Sequence, residues 1–271
     1  MAQELESRTR EILERPTGHP PGGTPVWLGP DAEGVRGIGR FLDYTLLKPE
    51  ATRDQVVRLC DQALSGSAAA VCVNGDWVGV AAERLRGSSV RVAATVAFPL
   101  GATTSMGKFV ETRLAVMDGA SEIDMVMALG RAAAGDWEAV RDDIATVVEA
   151  APGRSVKVIL ETAVLDPAGI VKACLVAQAA GARFVKTSTG FHPAGGATVD
   201  AVSLMRRAVG LGMGVKASGG IRHCAEAISM LAAGASRIGA SHAGEWRDCV
   251  GIGAPTVGQL LLLRPPSPVR S

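Results

Sequence analysis

Between Arg40 and Ser241, short runs rich in Val, Ile and Ala alternate with amphipathic segments eight times. The runs are "RFLDYTLL", "AAAVCVN", "RVAATVAFP", "SEIDMVM", "SVKVILET", "RFVKTS", "GVKAS" and "SRIGAS". They recur at roughly 25–30 residues, the length of one strand–helix unit. Nearly continuous apolar runs are buried on both faces, which is how parallel strands covered by helices read. The segments between them keep helical spacing. "ATRDQVVRLCDQAL" puts Val56, Val57, Leu59, Cys60 and Leu64 on one stripe, and "TVDAVSLMRRAV" and "CAEAISMLAAG" behave likewise. Eight such units predict a single α/β domain, a (β/α)8 TIM barrel. The competing fold is a doubly wound open sheet. It usually carries a GxGxxG turn after its first strand, and none follows "FLDYTLL".

Flanking segments do not keep this rhythm. Residues 1–37 read as an N-terminal extension, partly mobile: "MAQELESRTREILER" fits one short helix, and "PTGHPPGGTP" breaks helix and strand alike. Residues 38–264 form the predicted barrel, and 265–271 a frayed tail. With 47% hydrophobic and 20% charged residues, the 271-residue chain can bury a full core. A formal charge of +1 gives no basic surface for nucleic acid or anionic membrane. No run of about 18 apolar residues suggests a membrane span. The charged N-terminus lacks the apolar core of a secretory signal. Five cysteines (Cys60, Cys72, Cys174, Cys224 and Cys249) show no CxxC pair and fit a reducing, cytoplasmic setting. His19, His192, His223 and His242 are not spaced as metal ligands, so no metal or other cofactor is expected. No GxSxG elbow supports a hydrolase.

In such a barrel, chemistry collects at the C-terminal ends of the strands. Lys186 in the sixth run and Lys216 in the seventh interrupt apolar strands and are followed by small residues and glycine. A lone lysine there reads as a side chain snorkelling to a carboxylate. Two on neighbouring strands read as a reactive pair, each lowering the other's pKa by repulsion and making one a nucleophilic amine. Asp124, set among apolar residues in "EIDMVM", is the candidate partner acid; Glu122 shares its face nearer the strand start. Lys157 lies early in its strand and reads as structural. Thr187, Ser188 and Thr189 leave room for substrate, with Thr187 and Gly190 as candidate binding residues. "SGGIR" after the seventh run and "GAS" after the eighth occupy the loops where barrels bind phosphate. They nominate Gly219, Gly220, Arg222, Gly239 and Ser241. Cys72, at the end of the second run, is a small core residue or a lining of the pocket.

Taken in order, "LDYTLLKPEAT", "VCVN", "FPLG", "GASEIDMVM", "FVKTSTGF", "GVKASGGIR" and "RIGAS" resemble the deoxyribose-phosphate aldolase family from about Phe41 to Ser241. The resemblance implies a metal-free class I aldolase of deoxyribonucleotide catabolism. Such an enzyme cleaves 2-deoxy-D-ribose 5-phosphate reversibly to D-glyceraldehyde 3-phosphate and acetaldehyde. It implies that Lys186 forms the Schiff base, that Lys216 perturbs it, and that Asp124 relays protons through water. Small sugar phosphates and aldehydes would be its partners, with a homodimer as the candidate assembly. The chain departs from the family pattern at Tyr44, where His is usual, at Gly75, where Pro is usual, and at His242, where a small hydroxyl residue is common. These departures are expected to touch loop shape and the phosphate pocket. Some members close the site with a C-terminal tyrosine, whereas the single tyrosine here is Tyr44. Two other readings remain at this stage: another Schiff-base aldolase or transaldolase, and a non-catalytic phosphate-binding barrel.

Overall fold

A computed structural model describes residues 2–15, 24–246, 248–251 and 253–263. Eight parallel strands close into a barrel in sequence order, with β1 pairing β8. They are β1 Leu42–Leu46, β2 Ala70–Val73, β3 Arg91–Val96, β4 Glu122–Val126, β5 Ser155–Ile159, β6 Phe184–Lys186, β7 Gly214–Ser218 and β8 Arg237–Ala240. The expected TIM barrel is therefore the fold.

Helix α1 (Ala2–Glu14) precedes the barrel. The helices that follow the strands are α2 Arg53–Ser65, α3 Val78–Arg84, α4 Ser105–Met117, α5 Leu129–Ala133, α6 Trp137–Ala150, α7 Pro167–Ala179, α8 Val199–Val209, α9 Cys224–Ala233 and α10 Val257–Leu262. Their starts are written locally. Thr52 and Gln55 form a reciprocal capping box on α2. Asp136 caps α6, and Asp166 caps α7 ahead of a proline at its first turn. The main core lies between the strands' outward residues and the helices, for example Val71, Ile123, Val158, Val185 and Val215 against Val56, Ile144, Val171 and Leu231.

The N-terminal extension packs on the barrel wherever it is described. Leu5 and Ile12 of α1 are buried. Lys172 of α7 pairs with Glu6, and Arg207 of α8 donates to the Arg15 carbonyl at 2.8 Å. Trp27 donates to the Leu231 carbonyl at 2.9 Å. The Pro/Gly-rich stretch 16–23 and the tail expected at 265–271 lie outside the described residues.

One expectation needs correcting. Cys224 and Cys249, 25 residues apart, form a disulfide with Cα atoms 6.2 Å apart, so the cysteines are not all free thiols. Cys60, Cys72 and Cys174 are free and buried. The bridge joins the start of α9 to the segment after β8, two stretches that meet only because β7 and β8 are neighbours.

Candidate active site

The barrel interior holds a compact ladder of charge. Along each strand alternate residues point inward, and the parallel register sets Asp124 level with Lys157 and Lys186 level with Lys216. Lys186 Nζ lies 2.9 Å and Lys216 Nζ 2.8 Å from the same oxygen, Asp124 Oδ2. Lys157 Nζ lies 2.5 Å from Asp124 Oδ1 and 2.6 Å from Glu122 Oε2. Lys216 also pairs with Asp43, whose other oxygen takes Arg237 at 2.7 Å. All of these residues are buried.

The structure brings together the three residues singled out for catalysis, and it adds three that sequence reasoning passed over or misplaced. Asp43 and Arg237 carried no signal of their own. Lys157, expected toward the far face, stands beside Asp124 instead. Its place at the centre of β5 follows from register, which a single strand's sequence does not show.

These pairings fix protonation. Burial alone would raise the Asp124 carboxyl, but Lys157, Lys186 and Lys216 outweigh it and hold its pKa well below the ordinary value. Burial pushes Lys216 down, and Asp124 and Asp43 overcome this and hold it above an ordinary lysine. Lys157 is raised in the same way by Asp124 and Glu122. The expected mutual lowering of two facing lysines is therefore corrected for Lys216: the carboxylates between them outweigh the repulsion. Asp43, Glu122 and Asp124 face Lys157, Lys186, Lys216 and Arg237, and the exposed Arg91 also reaches Glu122 at 3.0 Å.

Above the ladder opens a cavity of about 760 Å³. Lys186 lines it, whereas Asp124, Lys216 and Lys157 do not. The loops after β6, β7 and β8 supply Thr189, Gly190, Phe191, Gly219, Gly220, Arg222, Gly239, Ser241 and His242. Of the nominated binding residues, Gly190, Gly219, Gly220, Arg222, Gly239 and Ser241 thus meet at one mouth. Gly219 and Gly220 both have positive φ, at 87° and 79°, which a glycine adopts without strain. Gly239 has a second duty, since a Cβ there would come within 3.0 Å of Lys216 Cε. Lys48 of the β1 loop and Arg58 of α2 also line the mouth. Sequence reasoning missed both, because basic residues on exposed helices and loops are commonplace.

Thr187 is placed differently. Its hydroxyl donates to the Ser218 carbonyl at 2.9 Å and accepts the Ser218 N–H at 3.0 Å, tying β6 to β7, so it is not part of the cavity lining. The sequence nominates Thr187 as a small residue beside Lys186, and size does not show that its hydroxyl is spent on the neighbouring strand. Thr189 faces the cavity instead. Its hydroxyl donates to Glu161 Oε2 at 2.5 Å and accepts the Phe191 N–H at 3.1 Å. Glu161 is buried and holds a left-handed backbone at φ 54°, a strained conformation for a residue with a side chain. Phe191 then meets Phe98 edge-on, with ring centroids 5.2 Å apart.

Cys72 lies beneath the cavity rather than in its wall, with Sγ 3.8 Å from Asp124 Oδ2 and packed with Leu47, Ala93 and Phe98. Burial pushes its thiol up to about 11. Tyr44 is buried and borders Gly66 at the end of α2, where a side chain would strike its hydroxyl. That departure therefore belongs to the helical layer and not to the pocket. Gly75 is not part of the lining, whereas His242 is.

Comparison with known proteins agrees with this geometry. The family model described as DeoC/LacD family aldolase matches residues 42–256, from the first residue of β1 to the start of α10. Deoxyribose-phosphate aldolase of Streptococcus sanguinis is 51% identical over 204 residues, covering 75% of this chain and 92% of that one. The Brevibacillus brevis enzyme of the same name is 49% identical with the same coverage. A deoxyribose phosphate aldolase from Aeropyrum pernix, described as tetrameric, superposes with a TM-score of 0.71 at 29% identity, over 89% of this chain and 94% of that one. A chain whose barrel matches the family model over residues 42–256, and which is 51% identical to such an enzyme over 204 residues, belongs to the DeoC/LacD family of aldolases.

Proposed function

We propose that this enzyme cleaves 2-deoxy-D-ribose 5-phosphate reversibly to D-glyceraldehyde 3-phosphate and acetaldehyde, through a Schiff base on Lys186. The observation that carries the residue assignment is that Lys186 alone among the clustered charges lines the cavity, with its Nζ 2.9 Å from Asp124. In this reading the Lys186 amine attacks C1 of the open-chain sugar. Loss of water leaves an iminium, whose positive charge stands where the ammonium stood, beside ionised Asp124. The iminium draws electrons from the C2–C3 bond as the C3 hydroxyl gives up its proton, and the phosphorylated aldehyde departs. The remaining enamine takes a proton at C2, and water releases acetaldehyde and the free amine. Asp124 accepts and returns protons at Oδ2, and Lys216 keeps it ionised between steps.

The phosphate is held at the mouth by backbone N–H groups at Gly219 and Gly220 with Arg222 and Ser241, and Lys48 and Arg58 add positive charge. No step needs a metal or other cofactor. In this reading residues 38–264 are the catalytic barrel and 1–37 an extension docked on its wall. Charged sugar phosphates do not cross membranes, so the enzyme works in the cytoplasm. No helix among the described residues is long and apolar enough to cross a membrane. The barrel works as a homodimer.

The test is release of both aldehydes from 2-deoxyribose 5-phosphate. The wild-type protein is expected to turn over, and Lys186→Arg, which keeps the charge but has no nucleophile, is expected to be inactive. A folded wild-type protein that releases neither product, or a Lys186→Arg variant that still releases them, would overturn the proposal.

A further inference from the structure

Glu161, the second residue after β5, carries two costs at once. Its backbone sits in the left-handed region at φ 54°, which strains a residue with a side chain. It is also only 1% exposed, and among the described residues no cation forms an ion pair with it. A buried carboxyl group of this kind has to be met by hydrogen bonds. The loop after β6 supplies them. Thr189 donates its N–H to Glu161 Oε1 at 3.2 Å and its hydroxyl to Oε2 at 2.5 Å. That hydroxyl also accepts the Phe191 N–H at 3.1 Å, so its own proton is spent within the protein. On either side of Glu161 the chain is tied to the segment carrying Lys186. The Leu160 N–H donates to the Lys186 carbonyl and the Thr162 N–H to the Thr187 carbonyl, both at 2.9 Å. The left-handed turn falls between these two bonds.

The loop that Glu161 holds lies directly on the glycines after β7. A Cβ on Gly196 would come within 2.2 Å of the Gly219 carbonyl oxygen, and one on Gly219 within 3.3 Å of Gly190 Cα. The Ala197 N–H donates to the Gly219 carbonyl at 3.0 Å. Backbone packs on backbone here, so a shift of Thr189 and Gly190 is passed to Gly219. Gly190, Gly219 and Gly220 all line the cavity, and among the described residues nothing accepts their N–H groups. Three such donors at one mouth suit an anion with several acceptor oxygens. We propose that Glu161 is a positioning residue for the phosphate site. Through Thr189 it latches the loop after β6 against Gly219, so that the Gly190, Gly219 and Gly220 N–H groups converge on the phosphate. The inference rests on the phosphate reading above and deepens it. Glu161 does not line the cavity, so it acts through the loop and not on substrate. Lys186 is held separately, by Asp124 at 2.9 Å, so its chemistry does not depend on the latch.

The test is titration of the full chain with inorganic phosphate, followed by phosphorus NMR, beside KM for 2-deoxyribose 5-phosphate and for deoxyribose. Glu161→Gly removes the carboxyl and leaves a residue that adopts this φ without strain. It is expected to weaken phosphate binding, and to raise KM for the phosphorylated sugar, on the order of tenfold, the worth of a buried hydrogen bond left unmade. KM for deoxyribose and borohydride trapping of acetaldehyde on Lys186 should stay as in the wild type. Glu161→Gln, whose amide oxygen can accept both Thr189 bonds, should restore most of the affinity. Glu161→Met, of similar length without an acceptor, should not. Thr189→Val breaks the latch from its other side and does not depend on any Glu161 variant folding. It should match Glu161→Gly, and the double variant should be little worse than either, because the two side chains act as one unit. Phosphate binding that weakens in both single variants upholds the latch even if another phosphorylated sugar is the substrate. Folded Glu161→Gly and Thr189→Val proteins that bind phosphate like the wild type would overturn the latch and leave the phosphate reading standing. Equal losses on both sugars, or a Met variant as good as Gln, would also overturn it. A wild-type protein that binds no phosphate would overturn both.

Discussion

The ladder beneath Lys186 and the mouth above it are built on opposite principles. In the ladder, Asp43, Glu122, Asp124, Lys157, Lys216 and Arg237 are shut from water and satisfy one another. At the mouth, Lys48, Arg58, Arg222 and His242 are exposed around an open cavity. Buried charge that loses its partner is costly, whereas exposed charge is cheap to keep or remove. The ladder must therefore serve folding and chemistry together, while the mouth is free to serve binding alone. Lys186 sits where the two meet. The sharpest way to break this comparison is to find a ladder substitution that spares the fold, or a mouth substitution that harms it.

The largest effect is expected at Lys157. Replacing it with Met leaves Asp124 and Glu122 short of a buried cation, which typically costs about 3–5 kcal/mol. Urea unfolding should report that loss, and turnover should fall with it because Asp124 is no longer held in place. A Lys157→Met protein of wild-type stability would show that the ladder is not the unit described here.

Acid and alkali probe the ladder without mutation. Asp124 is more acidic folded than unfolded, so its contribution is complete above about pH 4, the unfolded value. That contribution is lost as pH falls below this toward the depressed folded value. Lys216 is less acidic folded, so its contribution is complete below about pH 10.4 and is lost as pH rises beyond it. Stability measured against pH should therefore hold a plateau between these limits and fall on both sides. A carboxylate-driven loss beginning near neutrality would contradict the pairing.

At the mouth the expected effects are smaller and confined to binding. Arg222→Ala should raise KM for 2-deoxyribose 5-phosphate by about tenfold to a hundredfold, the worth of one charged hydrogen bond. It should leave KM for unphosphorylated deoxyribose little changed, and stability within about 0.5 kcal/mol. Equal losses on both sugars would remove Arg222 from the phosphate site.

How far this division could be read from the chain depends on which physical signal each part leaves. The barrel was legible because parallel strands buried on both faces must read as apolar runs, and eight of them recur at one spacing. Lys186, Lys216 and Asp124 stood out as charge inside such runs. The glycines after β7 and β8 stood out as loop chemistry at a known end of the barrel. Lys157 and Asp43 were misread or passed over because their importance lies in register between strands, which one strand's sequence does not carry. Thr187 and Thr189 could not be told apart, because which small residue faces the cavity and which spends its hydroxyl on Ser218 is set by the neighbouring strand. The Cys224–Cys249 bridge joins residues whose separation of 25 follows no metal or redox motif. It becomes visible only once β7 and β8 are side by side.

The central claim is that the lysine joining ladder to mouth is the nucleophile. The most direct measurement is to incubate the wild-type enzyme with acetaldehyde, reduce with borohydride and map the modified peptide. An ordinary lysine, with pKa about 10.4, is neutral less than about once in a thousand at pH 7, so exposed surface lysines are not expected to compete for the adduct. The account predicts one ethyl group, on Lys186 in the peptide containing "FVKTSTGF", and none in the Lys186→Arg variant. A label on Lys216 or Lys157 would contradict it, because both are shut from the cavity and held as cations by the carboxylates around them.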